Sequence, residues 1–323
     1  MRDPRHGEAG GERRIEPRSM SHRPDQPHGR PTDRPKPVDR SGLAAIVLAA
    51  GKGTRMNSDL PKVVHVAAGA PMVRWVVASC RAVGAAPIVL VVGHRADDVR
   101  AVFSGDDADV RYATQHEQRG TGHAVQHAEE ALRAPAHDPA KHAAGGPSNN
   151  AAHAPTDVLV LYGDGPLIRA DTLRLLVDRH RASGAAATLA TSTLDDPTGY
   201  GRIVRDARGG FVCIREQKDA SAEERAIREV NPGYYCFRID DLFSALARVG
   251  TGNASGEIYL TDVFEILLRD GRGVEVVDAV PPEDVLSVNT PEQLRTVESI
   301  LLARRDRPHA ASARRDAMPE VSA

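Results

Sequence analysis

The sequence contains few of the residues on which several protein classes depend. Its 323 residues include three cysteines, Cys80, Cys213 and Cys236, which are far apart and form no CxxC pair. This argues against a disulfide framework or a zinc knuckle and predicts buried free thiols in a reducing compartment. No apolar run approaches the roughly 18 residues of a membrane span, and the N-terminus lacks the apolar segment of a secretory signal. We therefore expect a cytoplasmic protein with no membrane partner.

The charges are balanced, and lysine is scarce. Lys+Arg total 42 and Asp+Glu total 44, giving a formal net charge of −2. A nucleic-acid binder usually shows a basic excess, so we expect no nucleic-acid partner. Only five of the basic residues are lysines. Because arginine serves elsewhere, a lysine inside a motif indicates a need for a compact ammonium group.

Three segments have compositions that do not favour a packed core. Residues 1–40 contain seven of the 22 prolines and only five apolar side chains, and residues 304–323, which include five arginines, are interpreted in the same way. Both are predicted to be disordered tails, because such segments cannot bury enough surface to offset their ordering entropy. Residues 134–156, rich in Ala, Pro, Gly and His, are predicted to be a low-complexity surface insertion in a domain spanning 41–303.

Apolar runs alternate with amphipathic segments over the first half of that domain. The pattern predicts strands at 43–49, 87–92, 110–113 and 158–161, and helices at 71–83, 96–103, 122–132 and 171–181. This order indicates an α/β fold with a doubly wound, mostly parallel sheet. After residue 188, short strands and a hairpin candidate at 202–214 predict an added antiparallel portion. Ligands of open α/β sheets bind outside the carboxyl ends of the strands, so the loops after the first and fourth strands are the predicted site.

The loop after the first strand reads LAAGKGTRMNSDLPK, from Leu48 to Lys62. Its glycines allow backbone N–H groups to face phosphate oxygens. It matches neither a P-loop nor a dinucleotide fingerprint, because the required glycines are missing. An ordinary strand-to-helix turn would explain the glycines but not the cluster of Lys52, Arg55 and Lys62.

This loop resembles the signature of the nucleotide-sugar pyrophosphorylases, and later motifs narrow the resemblance. They occur in this order: QHEQRGTGHA at 115–124, YGDGPLI at 162–168, GYGRIVR at 199–205, REQKDA at 215–220, NPGYY at 231–235, GEIYLTD at 256–262 and SVNT at 287–290. Together they are similar to the uridylyltransferase domain of bacterial N-acetylglucosamine-1-phosphate uridylyltransferases, over about residues 43–300. The resemblance implies a nucleotide-diphospho-sugar transferase type of sheet.

The resemblance also implies roles for individual residues. Arg55 and Lys62 match the catalytic residues that contact phosphate, and Gln115 and Gly120 match residues that read the pyrimidine, with Thr121 beside them. An amide suits uracil because it both donates and accepts. Thr121 is also a good N-cap for the following helix. The remaining implied substrate-binding residues are Leu48, Ala49, Gly51, Gly53, Tyr162, Gly201, Glu216 and Asn231.

Two residues are implied ligands of a Mg²⁺ cofactor. Asp164 follows a buried strand, where a carboxylate needs a cationic partner, and Mg²⁺ is typically held by one or two carboxylates plus substrate phosphates. The alternative is that Asp164 caps a turn. Asn289 is the implied second ligand, although Thr290-Pro291 is a good helix start that Asn289 could help to cap.

Two further groups have simpler interpretations. His123 and His127 have the i, i+4 spacing of a zinc pair, but no third ligand is evident, so we predict that they pack in a half-buried position. Without the resemblance, we would interpret residues 216–219 as a solvent-exposed strand end. Lys218 is predicted to pair with Glu216 or to reach a sugar phosphate.

The resemblance implies an enzyme that forms UDP-N-acetylglucosamine and pyrophosphate from UTP and the sugar 1-phosphate. The alternatives are a pyrophosphorylase for another sugar 1-phosphate or nucleotide, and a catalytically silent nucleotide-sugar-binding subunit. The 23 residues after Ile300 show no six-residue aliphatic repeat. We therefore expect no acetyltransferase β-helix of the kind that commonly follows this domain. The oligomeric state is not readable from the sequence.

Overall fold

The computed structural model describes residues 42–103, 105, 107–135 and 154–306. The predicted N-terminal tail, most of the predicted C-terminal tail and most of the predicted insertion, including His137, His142 and His153, lie outside these residues. No helix among the described residues is long and apolar enough to cross a membrane.

The described chain forms eleven strands and eight α-helices. The strands are β1 (Leu43–Leu48), β2 (Val66–Ala67), β3 (Ala70–Pro71), β4 (Ile88–Val92), β5 (Val110–Thr114), β6 (Asp157–Tyr162), β7 (Ala187–Thr193), β8 (Gly201–Arg205), β9 (Phe211–Arg215), β10 (Glu229–Arg238) and β11 (Val274–Asp278). The helices are α1 (Met72–Ala82), α2 (Ala96–Ala101), α3 (Thr121–Arg133), α4 (Ala170–Ser183), α5 (Ala222–Arg225), α6 (Ile239–Leu246), α7 (Asp262–Arg269) and α8 (Pro291–Asp306). Helix α8 continues three residues beyond 303, the predicted end of the domain.

The central sheet has the strand order β11-β7-β10-β6-β1-β4-β5, and β8 and β9 form a hairpin attached through β10. Strands β6, β1, β4 and β5 are parallel, which confirms the predicted doubly wound half. The antiparallel portion is also confirmed, but its long strand β10 lies inside the sheet, between β6 and β7. Residues 234–237 of β10 are all buried, so this strand needs cover on both faces and cannot be an edge.

The core fills both faces of the sheet. Along β1, Ala44 and Ile46 point into a cluster with α3, α6 and α7, while Ala45 and Val47 point into one with α1, α2 and α4. This alternation follows from the period of two in a strand, and burial on both faces explains why β1 reads as one continuous apolar run. The cysteines are all free and buried, as predicted.

A third group of apolar side chains, here called the α8 cluster, packs under the last helix. Its buried members are Met56, Ala67, Ala68, Met72, Leu167, Val288, Val297 and Leu301. They come from the loop after β1, the β2–β3 hairpin, the start of α1, the loop after β6, the segment before α8 and α8 itself. Helix α8 is therefore part of the folded domain and packs against the loop that carries Arg55.

Strand β10 is irregular between Val230 and Tyr234, and this irregularity depends on one glycine. Gly233 has φ +86°, and a Cβ there would lie 2.3 Å from Cε2 of Tyr162. A left-handed backbone favours glycine, and the ring of Tyr162 leaves no room for a side chain. The β10 bulge therefore sets how closely β10 approaches the end of β6.

We expect Gly233→Ala to lower the free energy of unfolding by more than the backbone strain alone. Strain at positive φ costs about 1–2 kcal/mol, and the overlap with Tyr162 adds about 1–3 kcal/mol. Gly271→Ala is the matched control, because Gly271 has φ +68° and no atom lies within 4 Å of the point that its Cβ would occupy. Urea unfolding of both variants measures the difference, and equal losses would contradict the close approach to Tyr162.

Candidate active site

A cavity of about 410 Å³ opens at the carboxyl ends of β1 and β6. These strands are adjacent and parallel, with Leu48 opposite Tyr162, so the loops after the first and fourth predicted strands do meet. The residues that line the cavity are Leu48, Ala50, Gly51, Lys62, Val63, Gln115, Gln118, Gly120, Thr121, Ala124, Tyr162, Asp164 and Glu257. Eight of the residues implied by the resemblance are among them.

The loop after β1 is shaped by one glycine and anchored by one methionine. Gly53 adopts a left-handed conformation with φ +67°, and a Cβ there would lie 2.7 Å from the Cβ of Lys62. Met56 is 4% exposed and belongs to the α8 cluster. The loop therefore folds back onto Lys62 while Arg55, beside the anchor, stays exposed. Ala49 is buried in the core and its N–H donates to the carbonyl of Val91, so its side chain does not face the cavity.

Lys62, Asp164, Asn289 and Arg55 converge at the mouth of this cavity. Lys62 Nζ forms an ion pair with the Asp164 carboxylate and donates to Asn289 Oδ1 at 2.9 Å. Arg55 donates to the same oxygen at 3.0 Å. The side chains of Lys62 and Asp164 are each 14% exposed, so solvent screens their attraction less than it would at the surface. The predicted phosphate-contacting pair and the predicted metal ligands thus form one group.

The position of Asn289 is set by the start of α8. Its backbone N–H donates to Gln293 Oε1 at 2.7 Å, and the N–H of Gln293 donates to Thr290 Oγ1. Next to it, the N–H of Val288 donates to the Asp164 carbonyl at 2.9 Å. Thr290 and Gln293 therefore form a capping box, which leaves the Asn289 side chain free to face Lys62. The T-x-x-Q spacing could have revealed Gln293, which sequence reasoning missed.

The oxygen donors at this point suit a hard divalent cation. A carboxylate and an amide carbonyl oxygen already share one cationic group, the ammonium of Lys62. Mg²⁺ prefers oxygen ligands and usually keeps water or substrate phosphate in its remaining positions. Asp164 and Asn289 therefore fit the cofactor that the resemblance implies.

The opposite end of the cavity is formed by the loop that precedes α3. Gly120 has φ +115°, and a Cβ there would lie 2.5 Å from the Ile258 carbonyl oxygen. The N–H of Gly122 donates to that carbonyl at 2.8 Å. The loop before α3 is thus locked against residues 257–260, and Glu257 reaches the cavity from there.

The predicted capping role of Thr121 is wrong. Helix α3 has Gly120 as its N-cap residue, without a side-chain cap, and Thr121 is the first helical residue. The Thr121 hydroxyl instead accepts from the N–H of Leu260 at 3.0 Å. That contact joins segments 139 residues apart, which no local capping pattern reveals.

The predicted sugar-contacting residues form a neighbouring group. A Cβ at Gly201 would lie 3.6 Å from both Asn231 Cβ and Glu216 Oε2. Asn231 donates to the Tyr235 hydroxyl at 2.7 Å, and Tyr162 hydrogen-bonds both Tyr235 and Thr121. Tyr162 therefore links this group to the cavity.

Glu216 is held in an acidic environment. Burial raises the pKa of its carboxyl, and the carboxylates of Asp219 and Asp262 raise it further, while a hydrogen bond from Thr261 lowers it. Glu216 also lines a second cavity of about 460 Å³. Lys218 donates to Ser255 Oγ at 3.1 Å and does not pair with Glu216, which corrects one of its two predicted roles.

Other predicted residues lie apart from the Lys62 group. Lys52 lines an adjoining cavity of about 270 Å³ with His94 and His116, and this cavity shares Gln115 and Gln118 with the first. His123 and His127 pack edge to face, with ring centroids 4.4 Å apart, and the described residues include no group of three or more metal-ligating side chains. The edge-to-face contact of the two rings confirms the predicted packing of this pair.

Sequence reasoning missed one residue whose contact is long-range. Gln118 Nε2 donates to the carbonyl of Ala50 at 2.6 Å and so joins the loop before α3 to the loop after β1. Gln118 lies inside the QHEQRG motif, but nothing in the motif indicates a partner 68 residues away.

Comparison with known proteins supports the resemblance. The family model of the MobA-like NTP transferase domain matches residues 45–231. The chain is 47% identical over 252 residues to the bifunctional protein GlmU of Geobacter metallireducens, covering 78% of this chain and 49% of that protein. It is 45% identical over 270 residues to the bifunctional protein GlmU of an Anaeromyxobacter species, covering 83% and 51%. The chain thus spans about half the length of these relatives.

One solved structure shares the fold. A putative glucose-1-phosphate thymidylyltransferase from Bacillus anthracis, crystallised with a sucrose, superposes with a TM-score of 0.62 at 18% identity, covering 80% of this chain and 94% of that chain.

The family model covers more than half of the chain and includes the loop after β1 and the strand that precedes Asp164. The chain therefore belongs to the family of MobA-like NTP transferase domains.

Proposed function

We propose that this chain transfers a uridylyl group from UTP to N-acetylglucosamine 1-phosphate, forming UDP-N-acetylglucosamine and pyrophosphate. The observation that carries the proposal is the convergence of Arg55, Lys62, Asp164 and Asn289 at the mouth of the cavity. Two cationic groups and two oxygen donors at one point suit a triphosphate with its divalent cation. The relatives named GlmU support the choice within the family.

The reaction requires positioning and charge neutralisation more than proton transfer. An oxygen of the sugar phosphate attacks the α-phosphorus of UTP, and a new P–O bond forms as the bond to the bridging oxygen of pyrophosphate breaks. The attacking oxygen is already anionic, so no general base is needed. Pyrophosphate leaves with the electron pair and with added negative charge. Lys62 and Arg55 neutralise the negative charge that builds up on the phosphates.

Asp164 and Asn289 would hold Mg²⁺, which when bound neutralises phosphate charge and aligns phosphate oxygens. The ammonium of Lys62 contacts both of these side chains. A cationic partner keeps the partly buried carboxylate from being left uncompensated.

The cavity would bind the base, and the neighbouring group around Gly201 would bind the sugar. Gln115 and Gly120 lie at the end formed by the loop before α3. Glu216 and Asn231 supply a carboxylate and an amide next to Gly201, and such groups hydrogen-bond sugar hydroxyls and an acetamido group. Gly201 leaves room between them for a close approach of the sugar.

The deciding experiment is pyrophosphate release from the purified chain, measured with each of four nucleoside triphosphates against a panel of sugar 1-phosphates. The panel contains N-acetylglucosamine, N-acetylgalactosamine and glucose 1-phosphates. We expect the highest kcat/KM for UTP with N-acetylglucosamine 1-phosphate. A higher value for another pair would reassign the substrate within the family. Absence of release with every pair would favour a silent nucleotide-sugar-binding protein.

Lys62→Ala is expected to lower kcat by about 10²–10³-fold, the loss typical of one preorganised donor to developing negative charge. The free energy of unfolding should fall by about 1–3 kcal/mol, because the variant leaves the partly buried Asp164 carboxylate without its cationic partner. Arg295→Ala is a matched control, since it removes one positive charge from the exposed side of α8, where Arg295 pairs with Glu292. Wild-type kcat in the purified Lys62 variant would refute this role for the loop after β1.

Asp164→Asn is expected to raise the Mg²⁺ concentration needed for half-maximal activity by more than about 100-fold. Loss of a residue that only hydrogen-bonds a metal ligand typically costs roughly 10–100-fold, and loss of a charged ligand should cost more. The reason is that the amide keeps the shape of the side chain but loses its charge. Asp171→Asn serves as the control, because Asp171 is exposed on α4 and pairs only locally with Arg174. Mg²⁺ titration of both variants is the measurement, and an unchanged requirement would leave Asp164 as a turn cap.

A further inference from the structure

Gln115 has both protons of its amide nitrogen engaged. The side chain is 4% exposed and lines the cavity. Its Nε2 lies 3.3 Å from the carbonyl oxygen of Gly120 and 3.1 Å from Nδ1 of His123. The Gly120 carbonyl can only accept, so the NH₂ group and not the amide oxygen faces it. The second proton of the NH₂ group is then directed at His123.

This geometry determines which nitrogen of the His123 ring carries the proton. A ring nitrogen that accepts from an amide must be unprotonated, so the proton of the neutral imidazole is on Nε2. Burial lowers the pKa of His123, and the neighbouring His127 and Arg119 lower it further, while Glu117 raises it. The neutral ring is therefore the form present near neutral pH.

With both protons used, the amide of Gln115 offers a ligand its oxygen. A uracil carries a proton on N3 between two carbonyl groups, and that N–H can donate to Oε1 of Gln115. A cytosine has an unprotonated N3 at the same place, which would face the same oxygen without a proton between them. A fixed amide therefore separates the two bases, whereas an amide free to turn over could satisfy either.

We propose that His123 is a positioning residue for base selection, which holds the Gln115 amide in the orientation that accepts from a protonated ring nitrogen. The inference rests on the proposed function and deepens it, because it assigns the rejection of cytidine nucleotides to a residue outside the substrate contacts. The hydrogen bond to the Gly120 carbonyl is a weak restraint on the amide orientation, because its 3.3 Å length exceeds the roughly 2.9–3.0 Å typical of such bonds. His123 supplies the second and shorter contact.

The test is equilibrium binding of UTP, CTP and dTTP in the presence of Mg²⁺, measured by isothermal titration calorimetry without sugar phosphate. In His123→Ala we expect the preference for UTP over CTP to fall by about 3–10-fold, the range of one neutral hydrogen bond. The preference for UTP over dTTP should not change, because thymine carries the same N3 proton. His123→Asn should restore the UTP-over-CTP preference, since its side-chain oxygen can accept from the Gln115 amide.

His127→Ala is the control, because His127 packs against His123 and contacts its backbone carbonyl but not Gln115. An unchanged UTP-over-CTP preference in His123→Ala would overturn the inference. So would an equal loss of affinity for all three nucleotides, since that result means a purely structural role. If the wild-type protein binds CTP as tightly as UTP, the proposed function itself is refuted. Failure of the proposed function is thus seen in the wild-type protein, and failure of the inference about His123 is seen in the variant. Thermal unfolding of each variant verifies that the comparison is made between folded proteins.

Discussion

The ammonium group of Lys62, placed between the Asp164 carboxylate and the Asn289 amide oxygen, is the contact on which the candidate site depends. It joins three segments: the loop after β1, the loop after β6 and the start of α8, the last of which is 227 residues from Lys62. A charge-assisted contact in a partly buried place is stronger and more directional than a surface ion pair. One cationic group thus fixes the relative position of three loops.

Apolar packing brings these loops within reach of one another. The α8 cluster contains Met56, which is adjacent to Arg55, and Val288, which is adjacent to Asn289. Val297 and Leu301 extend the same cluster along α8. Burial of these side chains therefore determines where two of the four charged and polar groups lie. Stability of the last helix and geometry of the site are coupled for this reason, since a loosened α8 would displace Asn289 and the Arg55 loop together.

Close backbone approach holds two elements that line the cavity, the loop before α3 and the end of β6. Gly120 touches the Ile258 backbone, and Gly233 touches the ring of Tyr162. Neither contact leaves space for a Cβ. Hydrogen bonds of Tyr162 to Thr121 and Tyr235 connect the two elements. The walls of the cavity therefore depend on contacts that only glycine permits.

The sequence alone determined the doubly wound half of the sheet, the hairpin at 202–214 and the family, because buried parallel strands read as continuous apolar runs and the motifs occur in order. It also singled out Lys62, Asp164 and Asn289, although which side chains touch substrate stays a prediction. Tertiary structure decided the rest. It placed β10 inside the sheet and Lys52 in an adjoining cavity. It also paired the Thr121 hydroxyl with the N–H of Leu260, and brought His123 to Gln115 and Gln118 to Ala50. Periodicity and motif spacing report local backbone geometry, whereas these contacts depend on how loops close over the sheet, and that is set by packing between segments distant in sequence.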